Sequence, residues 1–326
     1  MSKTKSASKP QGFDAYILLS EPLQFSTTEI EEALLEDFPD LDLQAGTGFS
    51  MPQNCDTADF ITAPILLGAG GADGGIASLI RLPGAGIWDP VQLTPSQRLP
   101  FIDVDLVLPS NASYICVTVG GKDEDETSQF RAARLCSCLT ALFAKLPIAL
   151  AVYWDSADHF LRPEDAVAMA DRAMKDEYPI EQWVGMRLVR PEDTPDGPVI
   201  GVTKGLNRFK GAELAYANAP VDLNTVAATL MTTSAMLTGY GHRFNDGDTI
   251  GSEGQPPEDA IRIRFAPKAK LGAADDYWLM VPPESAVDHV KLLGKIKRRA
   301  GPKNEKVQVR SRMNFFKWIM RGSKAS

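Results

Sequence analysis

Two carboxylates set two residues apart, Asp246 and Asp248, have a spacing that could do chemistry. One could attack a phosphoryl group while the other moves protons, with a magnesium ion held between them. Glu213 and His242 are the acid/base groups that would complete such a functional loop. The reaction class would be metal-dependent phosphate-ester hydrolysis.

Asp246-Gly247-Asp248-Thr249-Ile250 superficially resembles the D-x-D-x-T loop of haloacid-dehalogenase-type phosphatases, which must follow a buried apolar strand, with Thr249 one position early. Here Gly241, His242, Arg243, Phe244 and Asn245 precede it, so a tight Asn-Asp-Gly turn is the preferred reading and the hydrolase the alternative. Gly68, Gly70, Gly71, Gly74 and Gly75 raise a phosphate-loop reading. Asp73 occupies the last glycine position of G-x-G-x-x-G, and the strand-like Ile76 to Ile80 follows where a helix is needed. A hairpin loop is the better account. The three histidines, His159, His242 and His289, do not supply a multi-histidine metal site, and no G-x-S-x-G, H-E-x-x-H or C-x-x-C occurs. No catalytic residue, metal or cofactor is therefore assigned. Cys136 and Cys138 sit among apolar neighbours on a predicted helix and read as packing residues. Tyr153, Trp154 and Trp183 could form an aromatic binding surface, with burial in the core as the default.

The elements that must position these residues follow from periodicity. Ala15 to Ser20 predicts a strand, and Ser26 or Thr27 before Glu29, Ile30, Leu34, Leu35 and Phe38 predicts a capped amphipathic helix. Further strands are expected at 61–67, 76–82, 104–108 and 114–119. Helical spacing runs over 126–146 until Pro147 stops it, and the strand-like 148–154 follows. This order resembles an elaborated ferredoxin-like, split β-α-β unit. Pro163 opens another helix, strands are expected at 183–189, 199–203 and 213–216, Asp222 caps a helix to about Leu237, and Ile261 to Phe265 alternates as a half-buried strand. The expected fold class is α+β, with two ferredoxin-like halves whose mainly antiparallel sheets are covered by helices.

At 326 residues with 44% hydrophobic and 23% charged composition, the chain is long enough for about two domains and is not disordered throughout. The expected divisions are a disordered tail 1–13, an N-terminal unit 14–160, a C-terminal unit 161–286 and a basic tail 287–326. The opening residues lack the apolar segment of a secretory signal. The most apolar window, 135–154, is broken by Lys145 and Pro147, so no transmembrane segment is predicted. Four cysteines cannot make a disulfide framework, which fits a reducing cytoplasm.

Charge divides unevenly. Residues 287–326 hold twelve Lys or Arg against Asp288 and Glu305, a net of +10. The remaining 22 basic and 40 acidic residues give the body −18. Lys295, Lys297, Arg298 and Arg299, then Arg310 and Arg312 beside Phe315, Phe316 and Trp318, form a candidate binding tail. It would fold back on the acidic body, or meet a membrane surface, nucleic acid or an acidic partner.

Val152-Tyr153-Trp154, Pro179 with Trp183, Lys204 to Phe209 with Glu213-Leu214, and Asp246 to Gly251 together resemble the bacterial domain of unknown function DUF 4261. The likeness is strongest over 199–265 and excludes both tails. Phe209-Lys210-Gly211 stands where that family has Phe-Gly, which shifts the expected turn by one residue. The resemblance implies a bacterial, cytoplasmic protein and carries over no catalytic residue. By analogy with accessory partners of toxin and secretion systems, it implies a non-catalytic protein that works through protein–protein binding. An acidic surface suits a basic partner.

Overall fold

The computed structural model describes residues 12–41, 62–67, 75–83, 112–120, 125–189, 199–268 and 275–283, apart from single positions 24, 26, 220, 253 and 257. The expected strand at 104–108, most of the glycine run, Cys55, and all the candidate residues of the basic tail lie outside them.

The first half starts with β1 (Phe13–Leu19), whose alternating Phe13, Ala15, Ile17 and Leu19 are buried under helices. Helix α1 (Thr27–Asp37) follows, burying Ile30 and Leu34 on one face, with Phe38 and Leu41 just beyond its end. Strands β2 (Thr62–Leu67), β3 (Gly75–Pro83) and β4 (Ser113–Gly120) lead into α2 (Glu126–Ala144). Asp125 caps α2 by accepting the Ser128 N–H at 3.1 Å, which satisfies one of the orphan donors of the first turn. Thirteen of the nineteen α2 residues are buried, so this helix is covered on more than one side. The half closes with β5 (Ala149–Trp154) and β6 (His159–Leu161).

These strands form one sheet in the order β2-β3-β4-β1-β5-β6, every neighbour antiparallel. The inner four, β3-β4-β1-β5 with α1 and α2 as crossovers, have the ferredoxin-like order, and β2 and β6 extend its edges.

The second half runs α3 (Pro163–Met174), α4 (Ile180–Trp183), β7 (Gly185–Val189), β8 (Val199–Lys204), α5 (Asn207–Lys210), β9 (Glu213–Ala219), α6 (Leu223–Gly239), β10 (Thr249–Ile250), β11 (Ile261–Ala266) and β12 (Tyr277–Val281). Its sheet has the order β10-β11-β12-β9-β8-β7, and only the β12–β9 pair is parallel. The fold is thus α+β, with two mainly antiparallel sheets each covered by helices. The second sheet keeps that layering but is wired as two meanders joined through α6. Trp183, expected to open a strand, closes the single turn of α4, and the strand starts at Gly185.

One continuous core runs through both halves. The Phe209 ring lies 5.5 Å from Phe13 and 5.5 Å from Trp183, nearly parallel to the latter, while Phe13 approaches Trp154. Trp154 and Trp183 are fully buried, so these aromatics serve the core. Tyr153 points to the opposite face of β5, packing with Leu18, Ala151 and Phe160. The Trp183 indole N–H donates to Ser137 Oγ on α2 at 2.9 Å, tying α4 of the second half to the central helix of the first. Cys136 and Cys138 are both buried, and burial raises the Cys136 thiol well above its ordinary pKa, which makes it an inert packing group.

Candidate functional site

A polar cluster lies where the turn between β5 and β6 meets β7 and β8. A Cβ on Gly185 would stand 1.9 Å from the Ala157 carbonyl oxygen, so only glycine lets the backbones come this close. Gly205 has φ +101°, and a Cβ there would sit 2.6 Å from the Trp183 oxygen. These two glycines allow the turn to dock.

Asp158 ends that turn with φ +58°, a left-handed conformation uncommon for a residue with a side chain. Its carboxylate accepts the Tyr153 hydroxyl at 2.5 Å, receives Arg187 Nη2, and lies 3.2 Å from Lys204 Nζ. Tyr153 and Asp158 belong to the first half, Arg187 and Lys204 to the second. Beside them His159 is 2% exposed, and burial alone pulls its pKa from 6.5 to about 3. It is therefore a neutral imidazole at neutral pH. Among the described residues neither of its ring nitrogens has a hydrogen-bond partner.

The segment from Lys204 to Lys210 continues this junction residue by residue. Glu213, buried at the start of β9, accepts the Thr203 hydroxyl at 2.6 Å and the Gly205 N–H at 2.7 Å. Burial pushes its carboxyl above the ordinary range, and the bonds from Thr203, Gly205 and Asn207 oppose the shift. Asn207 Nδ2 donates to Asp275 at 2.6 Å. The Arg208 guanidinium donates to the Gly12 carbonyl and lies over the Phe13 ring, 5.2 Å from its centroid. Lys210 Nζ meets Glu126 at 2.5 Å, reaching the first turn of α2. The helical turn ends at Gly211 with φ +73°, in the left-handed region that suits glycine.

Asp246 and Asp248 come together in an exposed turn and are committed to the backbone. Asp248 accepts the Asn245 N–H at 2.7 Å, and Gly247 between the two takes φ +98°. Ile263 of β11 exchanges backbone bonds with Gly247 and Asp248, and the Asp246 carboxylate accepts the next outward N–H, that of Phe265, at 2.9 Å. Asp246 also lies 3.5 Å from Arg264. Its carboxylate therefore occupies the open edge of a strand, where an unpaired donor would invite another chain. Glu213 is buried on β9, with β12 between it and β11, so the structure does not join it to the two aspartates. His242 is exposed in the loop, its ring 6.5 Å from that of Tyr240.

Exposed aromatic rings stand on either side of this loop in sequence. Tyr240 is 80% exposed and Phe265 42% exposed, with Trp278 packed behind Phe265 at 4.7 Å and Phe244 against Trp278 at 6.2 Å. Tyr240 ends α6, whose seventeen residues include no charged side chain. Sequence reasoning missed Asp158, Arg187 and the exposed rings of Tyr240 and Phe265. A neighbouring Asp-His pair at the predicted end of a strand was the available signal for the first.

Among the described residues, no group of three or more His, Cys, Asp or Glu could hold a metal ion, and no helix is long and apolar enough to cross a membrane. No family model matches the chain, and no curated protein matches it at significance. A crystal structure described as a SUFU (suppressor of fused protein) homolog from Neisseria gonorrhoeae is similar at 16% identity, over 39% of this chain and 70% of that one. Its TM-score of 0.24 supports no conclusion about fold or function.

Proposed function

We propose that this chain is a non-catalytic, bacterial, cytoplasmic protein that acts by binding another protein, through the exposed aromatic rings of Tyr240 and Phe265. The role suited to that reading is neutralisation of a toxin or service to a secretion apparatus. The observation that carries it is exposed aromatic surface: Phe265 backed by Trp278, and Tyr240, 80% exposed, at the end of an uncharged helix. Exposed aromatic rings are enriched at the centres of protein interfaces. The carboxylates of highest chemical interest support the same reading, since Asp158, Glu213, Asp246 and Asp248 each spend their oxygens on holding backbone or cations. The buried thiols Cys116 and Cys136 accord with a reducing compartment.

Affinity capture with Tyr240→Ser/Phe265→Ser beside the wild type tests this. The expected result is a stoichiometric partner retained by the wild type and by Asp246→Asn and lost from the double variant. A magnesium-dependent phosphatase activity abolished by Asp246→Asn, or a partner held equally by the double variant, overturns it.

A further inference from the structure

We propose that the acidic outer face of α1 holds the chain's own basic segment 309–326. This inference stands apart from the exposed aromatic rings. Helix α1 contains Glu29, Glu31, Glu32, Glu36 and Asp37 and no basic residue, and Asp40 follows it. Its inner face is spent on the core through Ile30 and Leu34. On the outer face Glu32, Leu35 and Glu36 are neighbours at helical spacing, all exposed, with Leu35 at 45%. Asp37 is matched by Lys145 at 2.8 Å, whereas among the described residues no cation pairs with Glu32 or Glu36. The face therefore presents an apolar side chain between two carboxylates.

The occupant is argued from charge and from chain length. Segment 309–326 carries Arg310, Arg312, Lys317, Arg321 and Lys324 with no acid, interleaved with Met313, Phe315, Phe316, Trp318, Ile319 and Met320. It offers what the α1 face lacks: cations for Glu32 and Glu36, and apolar surface for Leu35. The described chain ends at Pro283, and the residues from there to Val309, at up to about 3.3 Å each, are enough to reach another face of the same molecule. Being part of the same chain raises the segment's effective concentration, so weak exposed ion pairs can hold it. A free basic protein or an anionic lipid lacks this advantage.

Limited tryptic cleavage of the full-length protein at low salt reads the contact directly. The expected result is slower cutting within 310–321 in the wild type than in Glu32→Gln/Glu36→Gln, by about fivefold for two exposed pairs. Leu35→Ser should also accelerate it, 0.5 M salt, as an approximate working concentration, should erase the difference, and Tyr240→Ser/Phe265→Ser should leave the rate unchanged. All three α1 substitutions are at exposed positions, and unchanged circular dichroism confirms that the fold is kept. Equal cutting rates in wild type and double variant overturn the proposal. Protection that grows with protein concentration overturns it in favour of a second copy, and protection arising only on adding phosphatidylserine vesicles overturns it in favour of a lipid surface.

Discussion

Lowering the pH from about 7.5 to 5 should destabilise this protein by about 2 kcal/mol through His159 alone, a figure that follows from linkage. In the folded chain burial holds the imidazole pKa at about 3, against 6.5 when solvated. Between those two values the unfolded chain binds the proton and the folded chain does not. The stabilisation is complete above pH 6.5 and is lost steadily as pH falls toward 3, at about 1.4 kcal/mol per pH unit well inside that window. Denaturant unfolding at the two pH values measures the loss in the wild type and in His159→Gln, which cannot take up the proton. Glu213, whose carboxyl is shifted upward, titrates in both proteins and cancels in the difference. The wild type should lose about 2 kcal/mol more than the variant. An equal loss in both would refute the premise that His159 is sealed from solvent as a neutral group.

Two substitutions test the junction itself. Asp158→Asn keeps a residue that tolerates φ +58° and an acceptor for Tyr153, but removes the charge facing Arg187 and Lys204. It should cost about 2 kcal/mol in denaturant unfolding, mostly through Arg187, because Lys204 is 40% exposed and contributes less. A loss within 0.5 kcal/mol of zero, as an approximate margin, would count against the cluster as a fastener. Gly205→Ala forces a side chain onto φ +101° and toward the Trp183 oxygen at 2.6 Å, and should cost about 3 kcal/mol, read as a lowered thermal midpoint. An unchanged midpoint would show that the two backbones are not in close contact.

Local signals made much of the fold legible. Asp222 caps α6 by accepting the Thr225 N–H, as its position before an apolar run predicts, and the burial of Ile30, Leu34 and Phe38 matches their helical spacing. Strand β12 was not legible, because Tyr277 to Val281 is a short apolar run without a turn partner. Its place is set by parallel pairing with Glu213 to Tyr216, more than sixty residues earlier. Trp183 was misplaced for a related reason: its strand-like side chain is captured by α2 and Phe209 before β7 begins. At the candidate site, Asp246 and Asp248 were legible as a turn because Asn, Asp and Gly encode turns locally. Glu213 could not be separated from them by sequence, since its neighbours across the sheet are fixed only by the strand order. Asp158 and Arg187 lie 29 residues apart and meet only because two glycines let a turn approach a strand.

Arg208 and Phe209 also set a timetable for synthesis. The Gly12 carbonyl and the Phe13 ring wait for a guanidinium and a ring 196 positions later along the chain. At ordinary elongation speeds of about 5–20 residues per second, that interval lasts about 10–40 s. For that time the emerging N-terminal half lacks its last aromatic neighbours and shows Phe13 to whatever is nearby, nascent chains on adjacent ribosomes included. Completion of the core is thus deferred until Phe209 has left the ribosome.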